Sequence, residues 1–155
     1  MMVSLYYHSR SKPFGFYGNW NDFYKIFMAG QAECGDWFQF TSDWLTYYKQ
    51  HPDTTLLLKY EDMLEDHKGA IRKLAKFSGL PCTDELLEDV AQKSSFGSMK
   101  ANPLANFHQI PQKEEPHLRK GVKGDWVNHF TIAQSEEFDR IFKERMAGID
   151  LFDLE

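Results

Sequence analysis

Thr54-Thr55-Leu56-Leu57-Leu58-Lys59-Tyr60 is the stretch on which the fold class turns. It is short, apolar in the middle and β-prone at its start, with Pro52-Asp53 before it and Glu61-Asp62 after. Three consecutive leucines leave no solvated face, so the pattern predicts a strand buried on both sides, as in a parallel sheet. Helical patterns surround it. Asn19 caps a predicted helix over 19–29 carrying Trp20, Phe23, Tyr24, Phe27 and Met28, with Gly30 as its stop. A second is predicted over 35–50, with Trp37, Phe40, Trp44, Tyr47 and Tyr48 as one core-facing stripe. Beyond the strand, a helix over 67–78 turns Ile71, Leu74, Ala75 and Phe77 inward and ends at Gly79. Thr83 caps the next, which carries Leu86, Leu87 and Val90, with Asp84 and Glu85 in the first turn where the helix dipole favours them. Thr131-Ile132-Ala133-Gln134 has the form of a capping box, followed by Phe138, Ile141, Phe142 and Met146 on one face. One parallel strand cannot make a sheet. The inventory predicts the C-terminal piece of an α/β fold, with its partner strands supplied elsewhere.

Composition narrows the function classes. A chain of 155 residues with 15% aromatics can build a real core, and disorder is excluded. The net charge of −5 argues against a general nucleic-acid surface, so any anion site must be local. Two cysteines, Cys34 and Cys82, form neither a disulfide framework nor a metal pattern and suit a reducing cytoplasm. The opening Met1-Met2-Val3-Ser4-Leu5-Tyr6-Tyr7 lacks the basic region and long apolar run of a secretory signal, and reads as the start of a helix or the end of a truncated element. No stretch approaches the length of a membrane span.

The local anion candidate is Pro116-His117-Leu118-Arg119-Lys120-Gly121-Val122-Lys123-Gly124-Asp125-Trp126. Arg119 offers a planar fork that fits two oxygens of a phosphate or sulfate, and Lys120 adds a compact charge. Gly121 and Gly124 let the backbone approach an anion closely. Taken alone, the same residues read more readily as a solvated basic turn, since charge runs usually face water. Two further stretches stand out. The loop at 9–18 holds Phe14, Phe16 and Tyr17, which either pack down or line a pocket. The segment 101–116 holds Pro103, Pro111 and Pro116 without periodicity and reads as a long functional loop. Between them, Ser94-Ser95-Phe96-Gly97-Ser98-Met99 reads as a short helical turn.

In this order, Val3-Ser4 with Tyr6-Tyr7, Met28-Ala29-Gly30, Tyr60-Glu61-Asp62-Met63, Ser95-Phe96 with Met99, Asn102-Pro103, Arg119-Lys120-Gly121 and Gly124-Asp125-Trp126 resemble the cytosolic sulfotransferases. These enzymes move a sulfonate from 3′-phosphoadenosine 5′-phosphosulfate (PAPS) to a hydroxyl or amine of a small molecule, leaving PAP. The resemblance implies the C-terminal portion of a P-loop-NTPase-like α/β fold, mostly helical with one or two parallel strands. Residues 1–155 would then be a partial domain. Arg119, Lys120 and Gly121 match the family's grip on the 3′-phosphate, and Ser4 matches a serine donating to it. Tyr60 matches the tyrosine beside the adenine. Ser94, Ser95 and Phe96, with Met99, match the turn around the base, where Phe96 would stack and Ser94 replaces the usual threonine. Phe107 falls where the family often has a tyrosine lining the acceptor pocket. No metal is implied.

Other family features have no match. The Lys-Ser-Gly-Thr-Thr-Trp type loop that holds the 5′-phosphosulfate is not in this sequence, and the six histidines fall at none of the positions matching the catalytic base. In the family's dimer motif a lysine stands where this chain has Val127, while Thr131, Ile132 and Glu136 are compatible, which leaves a homodimer open. Two readings follow. One is a PAPS-dependent sulfotransferase, with Phe107 and the aromatic loop at 14–17 at the acceptor. The other is a catalytically inactive fragment that binds 3′-phosphoadenosine nucleotides weakly or serves as an interaction module. A strand deprived of neighbours leaves apolar surface and an open edge. The isolated chain is therefore expected to be poorly soluble, and a sharp, cooperative melt of a monomer would count against that expectation.

Overall fold

The computed structural model describes residues 1–108 and 117–149. The chain divides into two compact units, one of Met1–Ser9, Phe16–Pro52 and Gly124–Glu155, the other of Arg10–Gly15 and Asp53–Lys123.

The first unit is an aromatic cluster built by four helices: α1 (Met2–Ser9), α2 (Trp20–Met28), α3 (Trp37–Gln50) and α8 (Ile132–Arg145). Asn19 caps α2 through a full capping box with Asp22, which fixes its start where the sequence places it. One face of α2 then turns Phe23, Tyr24 and Phe27 into the core beside Met2, Tyr6 and Ala32. Tyr6 makes ring contacts with Tyr7, Phe16, Trp20 and Phe23 at centroid distances of 5.1–6.2 Å. Phe16 of the aromatic loop thus packs down, whereas Tyr17 is exposed.

Polar contacts orient this cluster. Gln134 of α8 does more than close its capping box with Thr131. Its Oε1 also accepts from the Trp20 indole at 3.0 Å, and its Nε2 donates to Asn21 at 3.0 Å. The Tyr24 hydroxyl lies 2.9 Å from Glu137 Oε2. Burial, then that carboxylate, pushes the phenol above its usual range. Gly124, in the left-handed conformation at φ 85°, opens a 3₁₀ turn over Asp125–Asn128. Just beyond it, the His129 Nδ1–H donates to the Asp125 carbonyl at 3.0 Å, leaving Nε2 to accept from the Tyr7 hydroxyl at 3.0 Å.

Helix α3 departs from expectation. Its buried residues are Phe38 and Leu45, whereas Phe40, Trp44 and Tyr47 of the predicted inward stripe are exposed. Spacing groups residues on a stripe but does not say which stripe meets a partner. Here the choice falls to the contacts with α8. Phe38 and Trp37 pack on Phe138 at 5.8 and 6.5 Å, and the Arg145 guanidinium lies over the Phe38 ring at 4.8 Å.

In the second unit, helices α4 (Tyr60–Glu65), α5 (His67–Phe77), α6 (Asp84–Lys93) and α7 (Phe96–Ala101) follow one another closely. Asp66 caps α5, and Thr83 caps α6 through the Leu86 amide. Ala70, Leu87 and Ala91 are its buried helical apolar residues. Leu74 and Phe77, expected inside, are 50% and 41% exposed. Leu74 lines an apolar recess of about 300 Å³ between α5 and α6, together with Ile71, Leu86 and Val90.

The predicted parallel strand is not present. Residues 55–59 carry no strand assignment, and no strand occurs among the described residues. A strand is stabilised by its ladder to a neighbouring strand, and no strand stands among the described residues to supply that ladder. The one or two parallel strands expected are therefore not observed, while the mostly helical character expected holds over the described residues.

Asp36 supplies the acid-sensitive contact. Its Oδ1 accepts from the Phe38 and Gln39 amides at 3.0 and 3.2 Å, capping α3. Its Oδ2 accepts from Arg145 at 2.8 Å. The Arg145 bond is the main cause holding this carboxyl below its ordinary 3.8. A lowered folded-state value contributes stability that is complete above 3.8 and lost as pH falls through the lowered value. Urea midpoints measured from about pH 5 down to about pH 2 should fall more steeply for the unaltered chain than for Asp36→Asn, which keeps a capping acceptor but does not titrate.

Candidate nucleotide-binding site

Most of the residues singled out in the sequence lie in the second unit. Ser95 caps α7, its Oγ accepting from the Ser98 amide at 3.3 Å and donating to Ser98 Oγ at 2.9 Å. This places Phe96 at the first position of α7, where its ring meets the Arg119-Lys120-Gly121 segment. A Cβ built on Gly121 would stand 2.2 Å from Phe96 Cδ2 and 2.5 Å from Cε2. Gly121 also sits at φ 65°, which side chains avoid. The glycine is thus required twice, by its backbone angle and by the ring against it. At Gly124 a Cβ would meet nothing within 4 Å, so that glycine serves its φ of 85° and not the close approach expected from the sequence.

The turn before Phe96 is anchored by His67, which no pattern in the sequence singles out. The Ser94 hydroxyl donates to the Val90 carbonyl at 2.7 Å and lies 3.1 Å from His67 Nε2. With the hydroxyl proton committed to Val90, the ring supplies the other one: the His67 Nε2–H donates to Ser94 Oγ. A histidine 27 residues upstream of Ser94, opening α5, carries no periodicity that could have pointed to it.

The remaining positions are as follows. Tyr60 opens α4 and is 51% exposed. Glu65, at the other end of α4, pairs with Lys123, and that carboxylate raises the lysine above its ordinary range. This tie joins the end of the anion segment to the helix that Tyr60 begins. Met99 is half-buried in α7, and the Lys100 ammonium stands 5.7 Å from the Phe96 ring centre. Arg119 is half-buried and Lys120 exposed. Phe107 holds φ 48°, the one non-glycine residue described at positive φ, and its ring meets His117 edge-on at 4.7 Å. A phenylalanine in that region stores about 1–2 kcal/mol. Ser4 belongs to the first unit, exposed on α1. Residues 109–116, with Pro111 and Pro116, lie outside the described residues.

Within the second unit the structure therefore brings together a half-buried guanidinium, an exposed ammonium, a ring laid on the intervening backbone and two hydroxyls at the preceding turn. That set suits a ligand with an anionic group at one end and a flat base at the other. Among the described residues no group of three or more His, Cys, Asp or Glu is placed to hold a metal ion, and no helix is long and apolar enough to cross a membrane.

Comparison with known proteins gives the class. The Sulfotransferase domain family model matches residues 1–150, and the chain belongs to that family. Mouse Sulfotransferase 2B1 is 35% identical over 98% of this chain and 46% of its own length. Dog Sulfotransferase 1B1 is 39% identical over 86% of the chain and 46% of its own. Among solved structures, mouse sulfotransferase SULT7A1 complexed with PAP superposes with a TM-score of 0.82 at 28% identity, over 96% of this chain and 55% of that one. Retinol dehydratase in a complex with retinol and PAP gives 0.86 at 26% identity, over 97% and 45%. The chain thus has a sulfotransferase fold over its own length and spans about half the length of these relatives.

The Phe96–Gly121 contact yields a direct test. Gly121→Ala should destabilise the chain by about 2 kcal/mol or more, from left-handed strain plus the clash with the ring. Combining it with Phe96→Ala should recover the clash portion in a denaturation cycle. Equal costs with and without the ring would remove the contact as the cause.

Proposed function

We propose that this chain carries the part of a sulfotransferase site that grips the nucleotide, and that in the complete enzyme it serves transfer of a sulfonate from PAPS to a hydroxyl or amine of a small-molecule acceptor. The observation that carries this reading is the seating of Phe96 on the Gly121 backbone. It joins an aromatic face suited to a base with cations suited to a phosphate.

The roles follow from the chemistry of each group. Arg119 presents two parallel N–H donors to the 3′-phosphate, and Lys120 adds charge without directional demand. Phe96 stacks on the adenine, with Ser94, Ser95 and Met99 shaping the turn around it and Tyr60 at its edge. Ser4 is assigned to the same phosphate, and Phe107 to the acceptor, on family resemblance. Bound PAPS would supply the sulfonate, and these residues hold and orient its adenosine end.

For the chain on its own, a second reading is favoured by a specific observation: its sequence contains no Lys-Ser-Gly-Thr-Thr-Trp type loop. Neutralising the leaving phosphate and removing the acceptor proton are steps that supply most of the rate in such transfers. Residues 1–155 would then be a partial domain that binds the nucleotide weakly and does not turn it over. Val127 and Ile132, 60% and 80% exposed, leave the segment matching the dimer motif accessible to a second copy. The free, exposed Cys34 and Cys82 suit a cytoplasmic setting.

Calorimetric titration with PAP tests the reading. Binding is expected, and Arg119→Ala should weaken it roughly tenfold to a hundredfold, the range for a charge-assisted bond to phosphate. Affinity unchanged by that substitution would remove the anion assignment. A labelled-sulfonate assay with simple phenols should show no turnover by the isolated chain.

A further inference from the structure

We propose that Asn106 is a positioning residue that holds the backbone entering Arg119-Lys120-Gly121 against the end of α7, and so sets the affinity for the nucleotide's 3′-phosphate. The proposal rests on the nucleotide reading above.

Asn106 is 4% exposed, a buried amide in a turn whose neighbours at 104 and 107 are exposed. Its side chain reaches both of the segments that the site needs in register. Oδ1 accepts from the Leu118 amide at 3.0 Å, one residue before Arg119. Nδ2 donates to the Lys100 carbonyl at 3.1 Å, in the last turn of the helix that begins with Phe96. The second Nδ2 hydrogen points to His108 Nε2 at 3.1 Å. The residue's own amide donates to the Asn102 carbonyl at 2.9 Å, which fixes the turn from which the side chain reaches. One carboxamide thus satisfies an amide on the strand of chain leading to the cations and a carbonyl that the end of α7 would otherwise leave without a helical partner.

Register matters here because the Phe96–Gly121 contact has no slack. The ring occupies the space of a missing methyl group, so Gly121 cannot slide along α7 without losing the contact or clashing. Lys123 and Glu65 tie the far end of the segment, but they do so at the surface, where long side chains hold a position loosely. The near end is held by short, buried, directional bonds from Asn106. Arg119 and Lys120 lie between the two ties.

A purely structural asparagine would affect every property of the second unit alike. A positioning residue should affect the phosphate and spare the base, because Ser94 to Phe96 are anchored separately, through Val90, His67 and Ser98. The test compares adenosine 3′,5′-bisphosphate with adenosine 5′-monophosphate by calorimetry, on the unaltered chain and on Asn106→Ala. The unaltered chain should prefer the bisphosphate. Asn106→Ala should lose roughly tenfold or more for the bisphosphate, by freeing the Leu118 amide, with little change for the monophosphate. A preference that survives Asn106→Ala overturns this proposal alone, as does a parallel loss for both nucleotides. No preference in the unaltered chain overturns the nucleotide reading and this proposal together. Amide hydrogen exchange on the unaltered chain gives a reading that needs no variant. The Leu118 amide should be protected like a helical amide, and exchange at the rate of an exposed loop amide overturns the proposal.

Discussion

The ring of Phe96 lying on the backbone of Gly121 is the contact that the second unit's chemistry depends on. It imposes two demands at once. The chain at 121 must adopt a left-handed angle, and nothing larger than hydrogen can stand where the ring sits. Everything nearby serves those demands. Ser95 starts α7 one residue before the ring, so the ring's height above the helix is set by a cap. His67 and Val90 hold Ser94 from two different helices. The anion segment is tied to α4 at one end by an ion pair and to α7 at the other by a buried amide.

The first unit solves a different problem. Its core is built around aromatic rings, which pack at many angles and do not by themselves choose one. Directional bonds make the choice. Gln134 joins Trp20, Asn21 and Thr131, so the start of α8 and the start of α2 cannot drift independently. His129 does the same for Asp125 and Tyr7, locking one tautomer into a three-residue chain. Directional bonds of this kind are what make a ring cluster specific instead of merely sticky.

How far the sequence disclosed this depends on the range of the forces involved. Asn19, Thr83 and Thr131 were legible as caps because a cap acts over three residues, and all the atoms concerned are local. The strand expected over 54–60 does not form, for the opposite reason. Its apolar run is a real signal, but strand character is a property of a pair, and no strand occurs among the described residues. The α3 stripe failed on direction: Trp44 and Tyr47 have the right spacing, and the decision lay with Phe138 and Arg145, about a hundred residues away. Resemblance singles out Arg119, Gly121 and Phe96, and the structure brings the Phe96 ring against Gly121, but the reason for that glycine was not legible. Space for an anion was expected there, and a ring fills the position of its missing side chain. His67 and Asn106 were illegible, since a lone polar residue announces no partner until folding supplies one.

Holding a nucleotide and transferring a group from it make separable demands. The contacts described for Phe96, Gly121, Ser94 and Leu118 close within residues 60–123, over short distances. Transfer demands more. Charge must be neutralised on a phosphate and on the moving sulfonate, and a base must meet the acceptor's proton. On the proposed reading, Arg119, Lys120 and Phe96 meet the first demand, through contacts that close over short stretches of chain, and the second demand falls to groups set against the reacting atoms themselves.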